Sequence, residues 1–258
     1  MRIDKVTSQM QAVNHTGVMA KVYPDEIQQC IDSSKIYTTS TELMLKPSLV
    51  DVVEQKLIRM DSVSAGKILS REGKVCILNF ASYKHPGGGF ITGSIAQEEC
   101  LCHESILYNV ISSNRFKPYY EYNQKHLNRG MYKNRGIYTP DVLFVDEIKA
   151  PKFKADVFTC ASPNYCFHIA QRVPQKDNFE ALASRIDFVK KVLVDNDVEI
   201  AILGAFGCGV FHQDPNVVAK LFIDSFKLKD TGRIRKVYYA IPGGVNYSMF
   251  ERVLKYNR

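Results

Sequence analysis

No apolar run in this chain approaches the roughly 20 residues that a membrane-spanning helix needs, and the first residues, MRIDKVTSQMQAV, hold no apolar core of a secretory signal. These absences predict a cytoplasmic chain with no membrane partner. Paired CxxC spacing is also missing: Cys100-x-Cys102 followed by His103 suggests zinc, but no second pair completes a site, so no metal and no cofactor is expected. The seven cysteines are odd in number and scattered, several inside apolar runs such as KVCILNF, which suits reduced core thiols. There are no internal repeats and no low-complexity linkers. Neither a GxGxxG dinucleotide fingerprint nor a P-loop with its Lys-Ser/Thr is present.

What the chain does hold is an ordinary globular composition, with 45% apolar and 24% charged residues, so a packed core is expected. Its 258 residues suffice for one sizeable α/β domain with an extension. Residues 1–65 read as that extension packed on the core, and 66–258 as the main α/β domain. A net charge of +7 favours an anionic partner without naming one.

Within the extension, VYPDEIQQCIDSSKIYTTST reads as hairpin-like or irregular, and SVSAGKILSREG as a short helix closed by Gly73. KVCILNF (74–80), ADVFTCA (155–161), EIAILGAF (199–206) and KVYYAI (236–241) are near-continuous apolar runs, which suits strands buried on both faces. Between them, Phe179, Leu182, Ile186, Val189 and Leu193 form a helical stripe. Asp214-Pro215 is an N-cap followed by proline, and NYSMFERVLKY reads as a last helix. Alternating strands and helices predict a three-layer α/β/α sandwich. The segment 115–138 holds six Lys/Arg, one acidic residue and five tyrosines. It reads as a solvated loop anchored by its tyrosines, or as a stacking and phosphate-contacting surface.

Two glycine loops follow strands, where open α/β sheets bind ligands. In HPGGGFITGSIAQEEC (85–100), Gly87, Gly88 and Gly89 would let backbone N–H groups approach a ligand. Ser94 and Gln97 fit a capping box, and Cys100, His103, Leu107 and Val110 or Ile111 a buried face of one helix. Glu98 and Glu99 then sit in its second turn, about 100° apart around the axis, so they diverge. They either do chemistry or merely complement the helix dipole. The second loop, LGAFGCGVFHQDP (203–215), places Gly204, Gly207 and Gly209 after a strand, where a diphosphate could lie.

These two stretches resemble the signatures of poly(ADP-ribose) glycohydrolases of the bacterial type. NFASYKHPGGGFITGSIAQEE has three glycines, seven intervening residues and Gln-Glu-Glu; ILGAFGCGVFHQDP is similar to the family's diphosphate loop. The resemblance spans roughly residues 70–258. It implies a macrodomain, with a mixed sheet between helices, that binds ADP-ribose or poly(ADP-ribose) on modified macromolecules and hydrolyses its ribose–ribose bonds, from chain ends, as a monomer. It also implies that Glu99 acts as acid and then base, that Glu98 orients the ribose, and that Gln97 supports the loop. Gly87, Gly88 and Gly89 would line the terminal ribose and phosphates, and Gly207, Cys208, Gly209 and Val210 the diphosphate, with Phe211 packing on the terminal ribose or purine side. Ser82 stands where ordinary macrodomains carry a second asparagine. A mono-ADP-ribosyl hydrolase and a non-catalytic ADP-ribose-binding module remain the alternatives.

Overall fold

The computed structural model describes residues 4–44 and 46–256. Seven strands form one sheet: β1 (Lys35–Tyr37), β2 (Glu54–Ile58), β3 (Val75–Phe80), β4 (Gly136–Val145), β5 (Pro151–Cys160), β6 (Ile200–Leu203) and β7 (Lys236–Ala240). Their order is β1-β4-β5-β3-β6-β7-β2. β1 and β5 flank β4 antiparallel, while β5, β3, β6, β7 and β2 run parallel. The sheet is therefore mixed, as expected, and the four apolar runs read from the sequence are its central strands.

The helices are α1 (Lys5–Val22), α2 (Pro24–Ser33), α3 (Ser62–Leu69), α4 (Gln97–His103), α5 (Leu107–Ile111), α6 (Lys117–Lys125), α7 (Phe167–Ala170), α8 (Gln175–Asp195), α9 (Pro215–Ser225) and α10 (Gly244–Tyr256). Successive strand residues point to opposite faces. On β3, Val75 and Ile77 join a core with α1–α5, whereas Cys76 and Leu78 join a second core with α8–α10. That gives the three-layer sandwich. On α8 the stripe Leu182, Ile186, Val189 and Leu193 is buried, but Phe179, one turn from the helix start, is 48% exposed. Asp214 caps α9 by accepting from the Asn216 N–H.

The amino-terminal expectation is corrected. VYPDEIQQCIDSSKIYTTST is not a hairpin: it carries α2 and β1. Pro24-Asp25 reads as a turn but opens α2 at its first position, where the missing N–H costs nothing. Asp4 caps α1 through the Val6 and Thr7 N–H groups. α1 lies against residues 90–93, so close that a side chain at Gly93 would overlap the Lys5 carbonyl. β4 escapes sequence reading because Pro140-Asp141 interrupts its alternation; Asp141 has φ 53°, and the pairing with β5 shifts register there.

A second correction concerns the helix after the glycine loop. It starts at Gln97, so Glu98 and Glu99 lie in the first turn, not the second. Ala96 is the N-cap and Ser94 is not; Glu99 reaches back and accepts the Ala96 N–H at 2.9 Å. The helix also breaks in two. Residues 104–106 pair with the end of β4, the Ile106 N–H bonding Leu143 O and the Val145 N–H bonding Glu104 O. That pairing replaces the helical bonds and rotates the buried face. Leu101 and Cys102 are buried rather than Cys100, which is exposed.

Candidate active site

β3 and β6 are parallel neighbours, so their carboxyl ends release the two glycine loops on the same edge of the sheet. Gln97 ties α4 to the end of β3. Its Oε1 accepts the Phe80 N–H at 2.8 Å, and its Nε2 donates to Leu78 O at 2.9 Å and to Ser62 Oγ at 3.3 Å. The first turn of α4 is thereby held directly over the strand exit.

Two carboxyls are enclosed there, Glu98 at 3% and Glu99 at 6% exposure. Glu98 accepts the Ser82 N–H at 2.7 Å and the Asn79 amide at 3.3 Å. Glu99 accepts the Gly89 N–H at 2.8 Å in addition to that of Ala96. Contrary to the sequence expectation, the two side chains converge. A Cβ on Gly88 would stand 2.7 Å from Glu99 Oε1 and 2.8 Å from Glu98 Oε2. The 100° between the Cα positions is overcome by side-chain torsions, because Ser82 pulls one carboxyl and Gly89 the other toward the same loop.

This convergence explains the glycines better than ligand-directed N–H groups do. Gly88 has φ +58°, a left-handed conformation that disfavours side chains, and its Cα packs where any Cβ would strike both carboxyls. The N–H groups of Gly88 and Gly89 are given to His85 O and Glu99 within the protein. On the other loop, Gly207 has φ +76°, and a Cβ there would overlap Ser162 Oγ.

Burial decides the electrostatics of Glu98. Desolvation pushes its pKa from 4.5 up to about 8; the Ser82 N–H and Asn79 amide oppose the shift and the Glu99 charge adds to it. Glu98 therefore keeps a proton at neutral pH. Asn79 lies beneath it, fully buried, with Oδ1 unpartnered and Nδ2 shared between Glu98 and Thr159. Burial also pushes the Cys208 thiol up to about 12, so it is no thiolate.

Beside the carboxyls runs a cavity of about 180 Å³, lined by Phe80, Ala96 and Gln97 on one side and by Gly207, Gly209, Val210 and Phe211 on the other. Through Phe80, Ala96, Gln97 and Ala205 it adjoins a hollow of about 430 Å³ whose walls include Asp61, Val63, Ile241 and Asn246. Val210 is 78% exposed, while Phe211 stands edge-on to Tyr132 with ring centroids 6.1 Å apart. The structure thus brings Ser82, the three glycines, Gln97, Glu98 and Glu99 together at the strand exit, with Gly207, Gly209, Val210 and Phe211 across the cavity. Cys208 is not among its lining; it packs against the core under α8–α10. Sequence reasoning passed over Asn79, Phe80 and Ser162. Asn79 had one signal, a lone amide in an otherwise apolar strand.

A family model described as the microbial-type PARG catalytic domain matches residues 5–147. The match begins in α1, so the resemblance drawn from residue 70 onward extends to the amino-terminal helices. Among solved structures, poly(ADP-ribose) glycohydrolase from Deinococcus radiodurans in complex with ADP-ribose is similar at 26% identity, with a TM-score of 0.80 over 90% of this chain and 98% of that one. The Thermomonospora curvata enzyme bound to the inhibitor ADP-HPD is 23% identical, with a TM-score of 0.83 over 96% of this chain and 99% of that one. No curated protein sequence matches at a significant level. With more than half its length matched and its macrodomain-like fold shared, the chain belongs to the microbial-type poly(ADP-ribose) glycohydrolase (PARG) catalytic family and is a hydrolase of that type.

Proposed function

We propose that this enzyme binds the terminal ADP-ribose of poly(ADP-ribose) across the two glycine loops and hydrolyses its ribose–ribose bond with the Glu98–Glu99 pair. The observation that carries the reading is the convergence of two enclosed carboxyls on Gly88, beside a cavity walled by the second loop. The D. radiodurans relative, which holds ADP-ribose on the same fold, supports the choice of ligand. In this arrangement the terminal ribose lies over Gly87–Gly89, its hydroxyls oriented by Glu98 and the loop at Ser82. The diphosphate follows Gly207, Gly209 and Val210. The adenosine reaches the 430 Å³ hollow, where apolar walls suit a base and Asp61 and Asn246 offer polar contacts.

Glu99 is the acid and then the base. It protonates the departing ribose oxygen as the C–O bond breaks, an oxocarbenium-like ribose forms, and the resulting carboxylate takes a proton from the attacking water. One carboxyl suffices because its protonation state reverses between the steps. Glu98, neutral at pH 7, donates a hydrogen bond to a ribose hydroxyl. Phe211, braced by Tyr132, walls the cavity and favours chain ends as substrate. Seven free cysteines suit a reducing, cytoplasmic setting. Among the described residues no helix is long and apolar enough to cross a membrane.

The test incubates the enzyme with labelled poly(ADP-ribose) and, in parallel, with a mono-ADP-ribosylated protein. Release of ADP-ribose from the polymer alone is expected. Release from the mono-modified protein alone moves the assignment to mono-ADP-ribosyl hydrolysis, and tight ADP-ribose binding without release from either makes the chain a binding module.

A further inference from the structure

The basic, tyrosine-rich segment 115–138 divides in the structure. Tyr119, Tyr120, Tyr132 and Tyr138 are buried anchors, as expected, but the segment is no solvated loop: it carries α6 and the start of β4. Tyr122 is different. It is half-buried, with the Arg135 guanidinium 4.2 Å from its ring centroid and the His126 ring stacked at 3.8 Å, the planes 12° apart. Two groups this close to one centroid must occupy opposite faces. His126 is therefore the outer layer of a three-layer stack. Its Nδ1 lies 2.7 Å from Tyr122 O, which fixes the ring, and the side chain is exposed to solvent.

Cations surround this platform. Lys133 Nζ donates to Tyr122 Oη at 3.1 Å, and Lys84 and Lys125 are exposed nearby. The platform is also fastened to the catalytic loop. Asn123 Nδ2 donates to Tyr83 O at 2.9 Å and Gln124 Nε2 to Lys84 O at 3.0 Å. Lys84 follows by two residues Ser82, whose N–H holds Glu98. The stack thus stands beside the loop that carries Ser82 and the three glycines.

We propose that the His126–Tyr122–Arg135 stack is a second subsite, outside the cleft, for the next ADP-ribose unit of the polymer. An adenine stacks on His126 and the diphosphate meets Lys84, Lys125 and Lys133. Every base offers a π-face to such a ring, and lysines track the backbone charge. This inference rests on the reading of the cleft as a poly(ADP-ribose) site. It gives the polymer an advantage over a single ADP-ribose group that the cleft alone does not provide.

The experiment measures binding of labelled poly(ADP-ribose) and of ADP-ribose by fluorescence anisotropy and calorimetry, with turnover of the 4-nitrophenyl glycoside of ADP-ribose, which has no second unit. His126→Ala should weaken polymer binding about ten-fold, as removal of one stacking partner does. It should leave ADP-ribose affinity and nitrophenol release within about two-fold, and His126→Phe should restore the polymer. Lys84→Ala/Lys125→Ala should flatten the salt dependence, by about 0.7 in log–log slope for each phosphate that is no longer neutralised. Equal losses for polymer and ADP-ribose, or no loss for either, would overturn the subsite. So would single-stranded oligoadenylate competing as well as the polymer, which would make this a general nucleic-acid surface. If wild type binds polymer through His126 but never cleaves it, the cleft reading fails and the subsite stands; if His126→Ala binds and cleaves polymer like wild type, the subsite fails alone.

Discussion

Glu98→Gln offers a sharp test of the site's electrostatics. In the folded protein, burial holds the Glu98 proton up to about pH 8, while an unfolded chain releases it near the ordinary 4.5. Below about 4.5 both states carry the proton and the group adds no pH dependence. Between those values the folded state binds a proton that the unfolded state has lost, so the free energy of unfolding falls as pH rises, and it levels off above 8. At 1.36 kcal/mol per pKa unit, the full window is worth about 5 kcal/mol, an upper figure that relaxation of the site reduces. Glutamine keeps the shape and the acceptor for Ser82 but cannot titrate, so it removes this slope. The assay is urea unfolding of wild type and variant at several pH values between about 5 and 8. Wild type should lose stability relative to Glu98→Gln by about 1.4 kcal/mol per pH unit across the window. Parallel stability curves for the two proteins would refute the argument that Glu98 is a buried, neutral acid.

Other consequences concern packing. Gly88→Ala forces a side chain into a left-handed conformation and against both carboxyls; unfolding should cost about 1–3 kcal/mol less and kcat/KM should fall about 100-fold, whereas Gly209→Ala, with nothing within 4 Å, should leave the melting temperature unchanged. Gln97→Ala removes the bonds joining α4 to β3 and leaves the Phe80 N–H without its partner, which should lower stability by about 1–3 kcal/mol in denaturant unfolding. Cys208→Ser should retain polymer hydrolysis, and iodoacetamide should label Cys208 slowly at neutral pH, since burial keeps it a thiol.

Much of the fold was legible because central strands buried on both faces cannot hide their composition: β3, β5, β6 and β7 all stood out as apolar runs. Asp214-Pro215 announced α9 for an equally local reason, since cap and proline act within one turn. The edges were harder to read. β2, EQKLI, is half-buried and mostly polar, β1 has only three residues, and β4 is broken where Asp141 turns left-handed. α1 has almost no amphipathic period of its own and is held by contact with residues 90–92, α2 and α5, whereas α2 is amphipathic and packs on β4 but hides its start behind a turn-like Pro-Asp. At the site, the glycines and Gln-Glu-Glu were visible, but the convergence of the carboxyls was not. It depends on N–H groups from Ser82 and Gly89, on either side of the loop, and no spacing along one helix encodes those. The same holds for Cys208, which packs against the core instead of lining the cavity.

Proton transfer by Glu99 at the scissile bond stands or falls with Glu99→Gln. The measurement is single-turnover release of ADP-ribose from labelled poly(ADP-ribose), with ADP-ribose affinity determined on the same protein. The expected rate is at least 100-fold lower, within the range of about 10²–10⁴ for loss of a general acid–base group, with ADP-ribose affinity within a few-fold of wild type. Polymer cleavage by Glu99→Gln at the wild-type rate would contradict it.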